Sequence, residues 1–101
     1  MARAPYVYVF YEGVSGTVVL PKWFREAFKD MPEMISVPRN ARQRLTLAEA
    51  WALAEALGEH GAGWHFYRDG QEITPKELDE LVAKFYPKQY REFYGLEEAE
   101  K

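Results

Sequence analysis

Cysteine is absent from this chain of 101 residues, histidine occurs only as His60 and His65, serine only as Ser15 and Ser36, and asparagine only as Asn40. The missing thiols exclude disulfide staples, thiolate nucleophiles, iron–sulfur ligation and cysteine-based zinc fingers. The histidines are five residues apart, off one helical face, and neither lies in a HExxH pattern. Neither serine sits in a nucleophile-elbow sequence, and no Walker lysine follows the Gly13–Gly16 loop, so hydrolase and phosphate-cradling readings fail. Asp69 and Glu72 lack a third partner for a Mg²⁺ site. We therefore read the chain as noncatalytic, with no metal and no cofactor.

Long apolar runs are also missing. The longest, around Val7–Tyr11 and Val18–Leu20, are far shorter than the roughly 20 residues of a membrane-spanning helix. The stretch from Met1 to Pro5 runs into alternating aromatic and valine residues rather than an apolar leader. The expected location is the cytoplasm, with no membrane partner. Few amides, no cysteine and many Glu, Ala and Leu lean toward a thermophilic composition.

What is present is apolar and aromatic. At 48% hydrophobic and 16% aromatic, with only 7 Gly and 6 Pro, the chain is too rich for a disordered tail or a linker. A single compact domain over residues 1–95 is expected, followed by an acidic, frayed tail over 96–101.

Tyr6–Tyr11 is aromatic and β-branched throughout, which makes it a strand suited to cover on both faces. The loop after it carries Gly13 and Gly16 and leads to Thr17–Leu20, so a hairpin between the two is expected. Pro21 opens an amphipathic helix in which Trp23, Phe24, Ala27, Phe28 and Met31 recur at helical spacing, ending before Pro32. Glu33–Val37 reads as a short strand and the polar Asn40–Arg44 as a loop. Thr46-Leu47-Ala48-Glu49 has the spacing of a capping box and starts a helix with the stripe Leu47, Ala50, Trp51, Ala54 and Leu57. Trp64–Arg68 and Gln71–Ile73 flank Asp69-Gly70, a pair suited to a tight primed turn. Thr74-Pro75-Lys76-Glu77 then supplies an N-cap, proline at the first helical position and glutamate at the third. Leu78, Leu81, Val82 and Phe85 continue that helix until Pro87 stops it, and Lys88–Tyr94 forms a last short helix before Gly95. The order predicts a small two-layer α+β domain: a mainly antiparallel sheet of four or five short strands covered by three or four helices.

Charge is unevenly distributed along the chain. Residues 1–44 hold seven basic against four acidic side chains, net +3, and residues 45–101 hold six against twelve, net −6. Arg39, Arg42 and Arg44, interleaved with Asn40 and Gln43, are the only compact basic group. Arginine engages phosphate bidentately and Asn or Gln can read a base edge, so this segment, aided by Lys22 and Arg25, is the candidate nucleic-acid site. The overall charge of −3 works against it.

Gly16-Thr17-Val18-Val19-Leu20-Pro21-Lys22-Trp23-Phe24-Arg25 resembles the glycine, β-branched pair, Pro-Lys and following Arg of the AbrB/SpoVT swapped-hairpin transcription regulators. The resemblance implies a dimer that contacts DNA through Lys22 and Arg25. It covers about ten residues, and the chain departs from that family in its Tyr6–Tyr11 strand and its additional helices.

The aromatics support a different reading. Tyr86, Tyr90 and Tyr94 recur every four residues, with Phe93 beside them, a spacing that serves either as a core stripe or as a set of interface anchors. Tyr6, Tyr8 and Tyr11 pose the same choice on the first strand. The function expected first is a protein-interaction or regulatory adaptor module, binding a protein partner or a second copy through Tyr86, Tyr90, Phe93 and Tyr94. A small nucleic-acid-binding regulator is the alternative.

Overall fold

A computed structural model describes residues 4–39 and 41–95. The strands are β1 (Tyr6–Tyr11), β2 (Gly16–Val19), β3 (Met34–Val37), β4 (Gln43–Thr46), β5 (Trp64–Arg68) and β6 (Gln71–Ile73). The helices are α1 (Lys22–Ala27), α2 (Leu47–Leu57), α3 (Pro75–Phe85) and α4 (Pro87–Tyr94), with a 3-10 turn at Gly58–His60. A four-stranded sheet in the order β4-β1-β5-β6 stands beside a two-stranded sheet of β2 and β3, and every pairing is antiparallel. The domain is a small α+β fold.

The expected β1–β2 hairpin does not form. β1 pairs with β4 on one side and β5 on the other, and β2 pairs with β3. A strand apolar on both faces belongs at the centre of a sheet, and with both edges of β1 taken the glycine-bearing loop must carry the chain away to a second sheet. Glu12 N–H donates to Gly63 C=O at 2.8 Å, which extends the β1–β5 side rather than turning toward β2. Gly16 is needed where it stands, because a Cβ there would lie 2.8 Å from the Trp64 ring.

Two further boundaries differ from expectation. The segment read as a loop up to Arg44 contains the start of β4, whose Leu45 is buried between exposed Arg44 and Thr46. An edge strand needs only one covered face, so a single apolar residue among polar ones suffices. Helix α1 ends at Ala27, since Phe28 adopts extended geometry at φ −123°, ψ 132° while its N–H still bonds Phe24 C=O at 3.0 Å. That departure turns the Phe28 ring edge-on to Trp51 and Tyr86.

The other local signals match the structure. Thr46 Oγ1 accepts from Glu49 N–H at 3.1 Å while Thr46 N–H donates to Glu49 Oε1 at 2.9 Å; Thr74 and Glu77 repeat the exchange at 3.1 and 2.7 Å. Asp69 and Gly70 take φ of 54° and 80°, the pair of positive values that a type I′ hairpin turn requires. Pro87 stands at the first turn of α4, and Gly95 closes that helix in left-handed geometry. The tail at 96–101 lies outside the described residues.

The core lies between the inner face of the large sheet and the helices. Val7, Val9 and Leu45 point inward against α2, whose Leu47, Ala50, Trp51, Leu53 and Leu57 are buried. Phe24 of α1 and Leu78 and Val82 of α3 complete it. Trp51→Ala should lower the unfolding free energy by about 3–5 kcal/mol, and Thr74→Ala, which removes one cap, by about 1 kcal/mol. Urea denaturation measures both, and equal losses would contradict this division between core and cap.

Candidate functional site

Strand pairing decides which side chains share the face of the sheet that the helices leave open. Tyr8 pairs with Arg44 on β4 and with Tyr67 on β5, and Tyr67 pairs with Glu72 on β6. Directly paired residues point the same way, so Arg44, Tyr8, Tyr67 and Glu72 make one row from edge to edge. Tyr6 lies two residues from Tyr8 on the same face, and Phe10 and His65 form the neighbouring row. Tyr6 and Tyr8 remain 51% and 40% exposed.

The two arginines are held by these rings. The Arg42 guanidinium carbon sits 4.1 Å from the centre of the Tyr67 ring, and that of Arg44 sits 4.5 Å from the centre of the Tyr6 ring. Both distances are within reach of a cation–π attraction, worth about 0.5–1 kcal/mol at an exposed site. Among the described residues neither guanidinium has a carboxylate within 4.0 Å. The face therefore carries a patch of rings overlaid by two guanidinium groups whose positive charge no carboxylate within 4.0 Å cancels among the described residues.

The opposite side of the same face is acidic. His65 Nδ1 lies 2.6 Å from Glu72 Oε2 and Nε2 lies 2.6 Å from Glu12 Oε2. Ionised carboxylates only accept, so an imidazole bonded to one at each nitrogen donates twice and is the imidazolium. The bond to Glu72, then that to Glu12, raise the His65 pKa, against a smaller opposing effect of burial. One cation between two anions leaves this side one charge negative. The expected surface or structural role of His65 takes the form of a clamp joining β5, β6 and the segment after β1.

The remaining predicted site residues are dispersed. Arg39 is exposed ahead of β4, and Gln43 is half-buried in the inward-facing phase of that strand. Asn40 lies outside the described residues. Lys22 and Arg25 are exposed on α1, where Lys22 lies 3.8 Å from Glu26. Thus the structure brings together Arg42 and Arg44, and it joins them to Tyr6, Tyr8 and Tyr67.

The C-terminal aromatics occupy the other side of the molecule. Tyr86, Tyr90 and Phe93 pack against the core, Phe93 with its ring centre 4.9 Å from that of Trp23 and 5.6 Å from that of Trp51. Tyr94 is 41% exposed. Its hydroxyl donates to Glu55 and lies 3.5 Å from Asp79, to which Tyr90 donates at 2.7 Å. Burial first, and then the bond to Glu55, push the Tyr94 phenol well above its ordinary pKa, with the Trp51 indole working the other way. For Tyr90 the bond to Asp79 dominates, and for Tyr86 burial does. Glu55 and Asp79 also border a cleft of about 750 Å³ between the end of α2, β5–β6 and the start of α3, floored by Trp64, Phe66 and Ile73.

Among the described residues no group of three or more His, Asp or Glu could hold a metal ion. No helix there is long and apolar enough to cross a membrane. No family model matches the chain, nor does any curated protein or solved structure.

The His65 clamp has a defined pH dependence. A folded pKa raised above the unfolded value of 6.5 means that the stabilisation is complete below that pH and is lost as pH rises through the folded value. His65→Gln should therefore lower the melting temperature more at about pH 5.5 than at about pH 9. Thermal melts at the two pH values test this, and equal losses would exclude the protonated clamp.

Proposed function

We propose that this chain is a noncatalytic interaction module, of the adaptor or regulatory kind, that binds a protein partner through the open face of its four-stranded sheet. The observation that carries the reading is the placement of Arg42 and Arg44 over the rings of Tyr67 and Tyr6, beside exposed Tyr8, on a face that no helix of the described residues covers. Tyrosine and arginine are, with tryptophan, the residues enriched among the anchors of protein interfaces, because each offers a broad apolar surface together with a polar end. Cation–π contact restrains the arginines before any partner arrives, which reduces the ordering cost of binding. Tyr94, with Tyr86, Tyr90 and Phe93 behind it, provides a smaller second area whose rings also serve the core.

The same alternation of rings and guanidinium groups favours a second reading, stacking of single-stranded bases with arginine contacts to phosphate. Glu12 and Glu72 on that face oppose it, as does the net charge of −3. Fluorescence anisotropy with labelled duplex and single-stranded oligonucleotides separates the two. A protein interface predicts no salt-dependent binding up to about 100 µM at low salt, the upper end of ordinary nonspecific affinity. Micromolar binding that weakens steeply with salt and is lost in Arg42→Glu/Arg44→Glu would transfer the face to nucleic acid.

A further inference from the structure

The open face carries opposite charges on its two edges, and the strand register puts them in line. Arg44 stands on edge strand β4 and Glu72 on edge strand β6, with Tyr8 and Tyr67 between them in a single row. At a strand spacing of about 4.8 Å the row is about 14 Å wide. Arg44 lies on one edge and the Arg42 guanidinium reaches over the Tyr67 ring of β5, neither with a carboxylate within 4.0 Å among the described residues, and the Glu12–His65–Glu72 clamp lies toward the other edge with one negative charge in excess. Such a face is complementary to itself.

We propose that the partner is a second copy of this chain, docked face to face about a two-fold axis that runs parallel to β1 and β5 between Tyr8 and Tyr67. This deepens the proposed function and rests on it. A two-fold axis along the strands exchanges the left and right edges of the face, so Arg44 of each copy meets Glu72 of the other and Tyr8 of each meets Tyr67 of the other. An axis across the strands would instead oppose Arg44 to Arg44 and Glu72 to Glu72, which like-charge repulsion disfavours. Charge thus selects one of the two symmetric ways of stacking the sheets, and the interface closes as a dimer rather than growing into a filament. Sheets stacked in this way sit about 10 Å apart, a gap that an arginine and a glutamate span from opposite sides. The uneven charge along the sequence acquires a role: Arg44 comes from the basic first part of the chain, and Glu72 from the acidic second part.

Sedimentation velocity of the full chain over about 5–500 µM, at low salt and at about 0.5 M NaCl, tests the proposal. The expected result is a reversible dimer whose Kd rises at least about tenfold in high salt, since its ion pairs lie at the rim of the interface. Arg44→Glu and Glu72→Arg should each weaken the dimer by at least about tenfold, and the double variant Arg44→Glu/Glu72→Arg should return it to within about threefold of the parent. Far-UV circular dichroism confirms that each variant is folded, and Tyr8→Ser, at an exposed position without a role in the core, weakens the dimer independently of the charges. A chain that stays monomeric throughout overturns the second copy while leaving the sheet face available to a different protein. A dimer indifferent to both single reversals, or one that the double variant fails to restore, overturns the proposed geometry. Oligonucleotide binding lost in Arg42→Glu/Arg44→Glu overturns the second copy and the protein-interface reading together.

Discussion

The Trp51 indole is the contact on which the arrangement of the helices depends. It is 2% exposed, and rings from two other helical regions converge on it: Phe24 at 4.9 Å, Phe93 at 5.6 Å, Trp23 at 5.8 Å, Phe28 at 6.0 Å and Tyr90 at 6.4 Å between ring centres. Most of these meet edge to face, the geometry that the ring quadrupoles favour. Helix α1 is only six residues long, too short to persist unaided in water. Its position is secured by Trp23, Phe24 and the Phe28 that follows it, all turned toward Trp51. α4, at eight residues and with none fully buried, is secured in the same way through Tyr90 and Phe93. One side chain on α2 therefore recruits the helical layer to a single side of the sheet.

That recruitment explains why the other side stays open. The described residues form four α-helices, and all the large rings of these helical segments except Tyr94 are at least half-buried on the inner side. None is left to cover Tyr6, Tyr8, Phe10 and Tyr67. Strand β1 therefore has unequal surroundings: Val7 and Val9 face the core with no exposure, while the tyrosines on the outer face meet arginines and water. The attraction between guanidinium and ring offsets part of the cost of exposing these aromatics and keeps them ordered. An ordered, partly apolar surface of this kind favours association over aggregation, because Arg42, Arg44, Glu12 and Glu72 at its margins penalise contacts of the wrong register.

Much of the fold was legible in the sequence because short-range chemistry determines it. Both capping boxes, the Asp69-Gly70 turn and the Gly95 terminus depend on residues within a few positions of one another, and each lies where its residue types place it. Pairing between strands depends on contacts far apart in the chain. The apolar composition of β1 indicated cover on both faces, whereas only the face with Val7 and Val9 is covered and Tyr6 and Tyr8 on the other stay exposed; β4 and β5 fill its edges, and no local signal could say that its neighbour in sequence would pair elsewhere. The proposed site fell into the same gap. Arg42 and Arg44 were visible as a basic cluster, and Tyr6 and Tyr8 as aromatics of undecided side, whereas their union across β1 and β5 is a product of register. The C-terminal tyrosines posed the converse problem, since a spacing of four residues describes a stripe and does not tell which side of the stripe meets the core.

The register of β4 carries more consequence than its length suggests. Side chains alternate along a strand, so a slip of one residue would turn Arg44 inward and expose the positions that now face the core. In this four-residue strand Leu45, 4% exposed, is the only apolar residue. Its burial opposite Val7 therefore sets the phase of the strand, and Thr46, committed at the next position to capping α2, prevents the strand from sliding relative to the helix it precedes. A core contact and a helix cap, neither of them on the open face, together determine that Arg44 points out beside Tyr8 and stands in line with Glu72. The placement of charge on the surface is in this sense a consequence of packing beneath it.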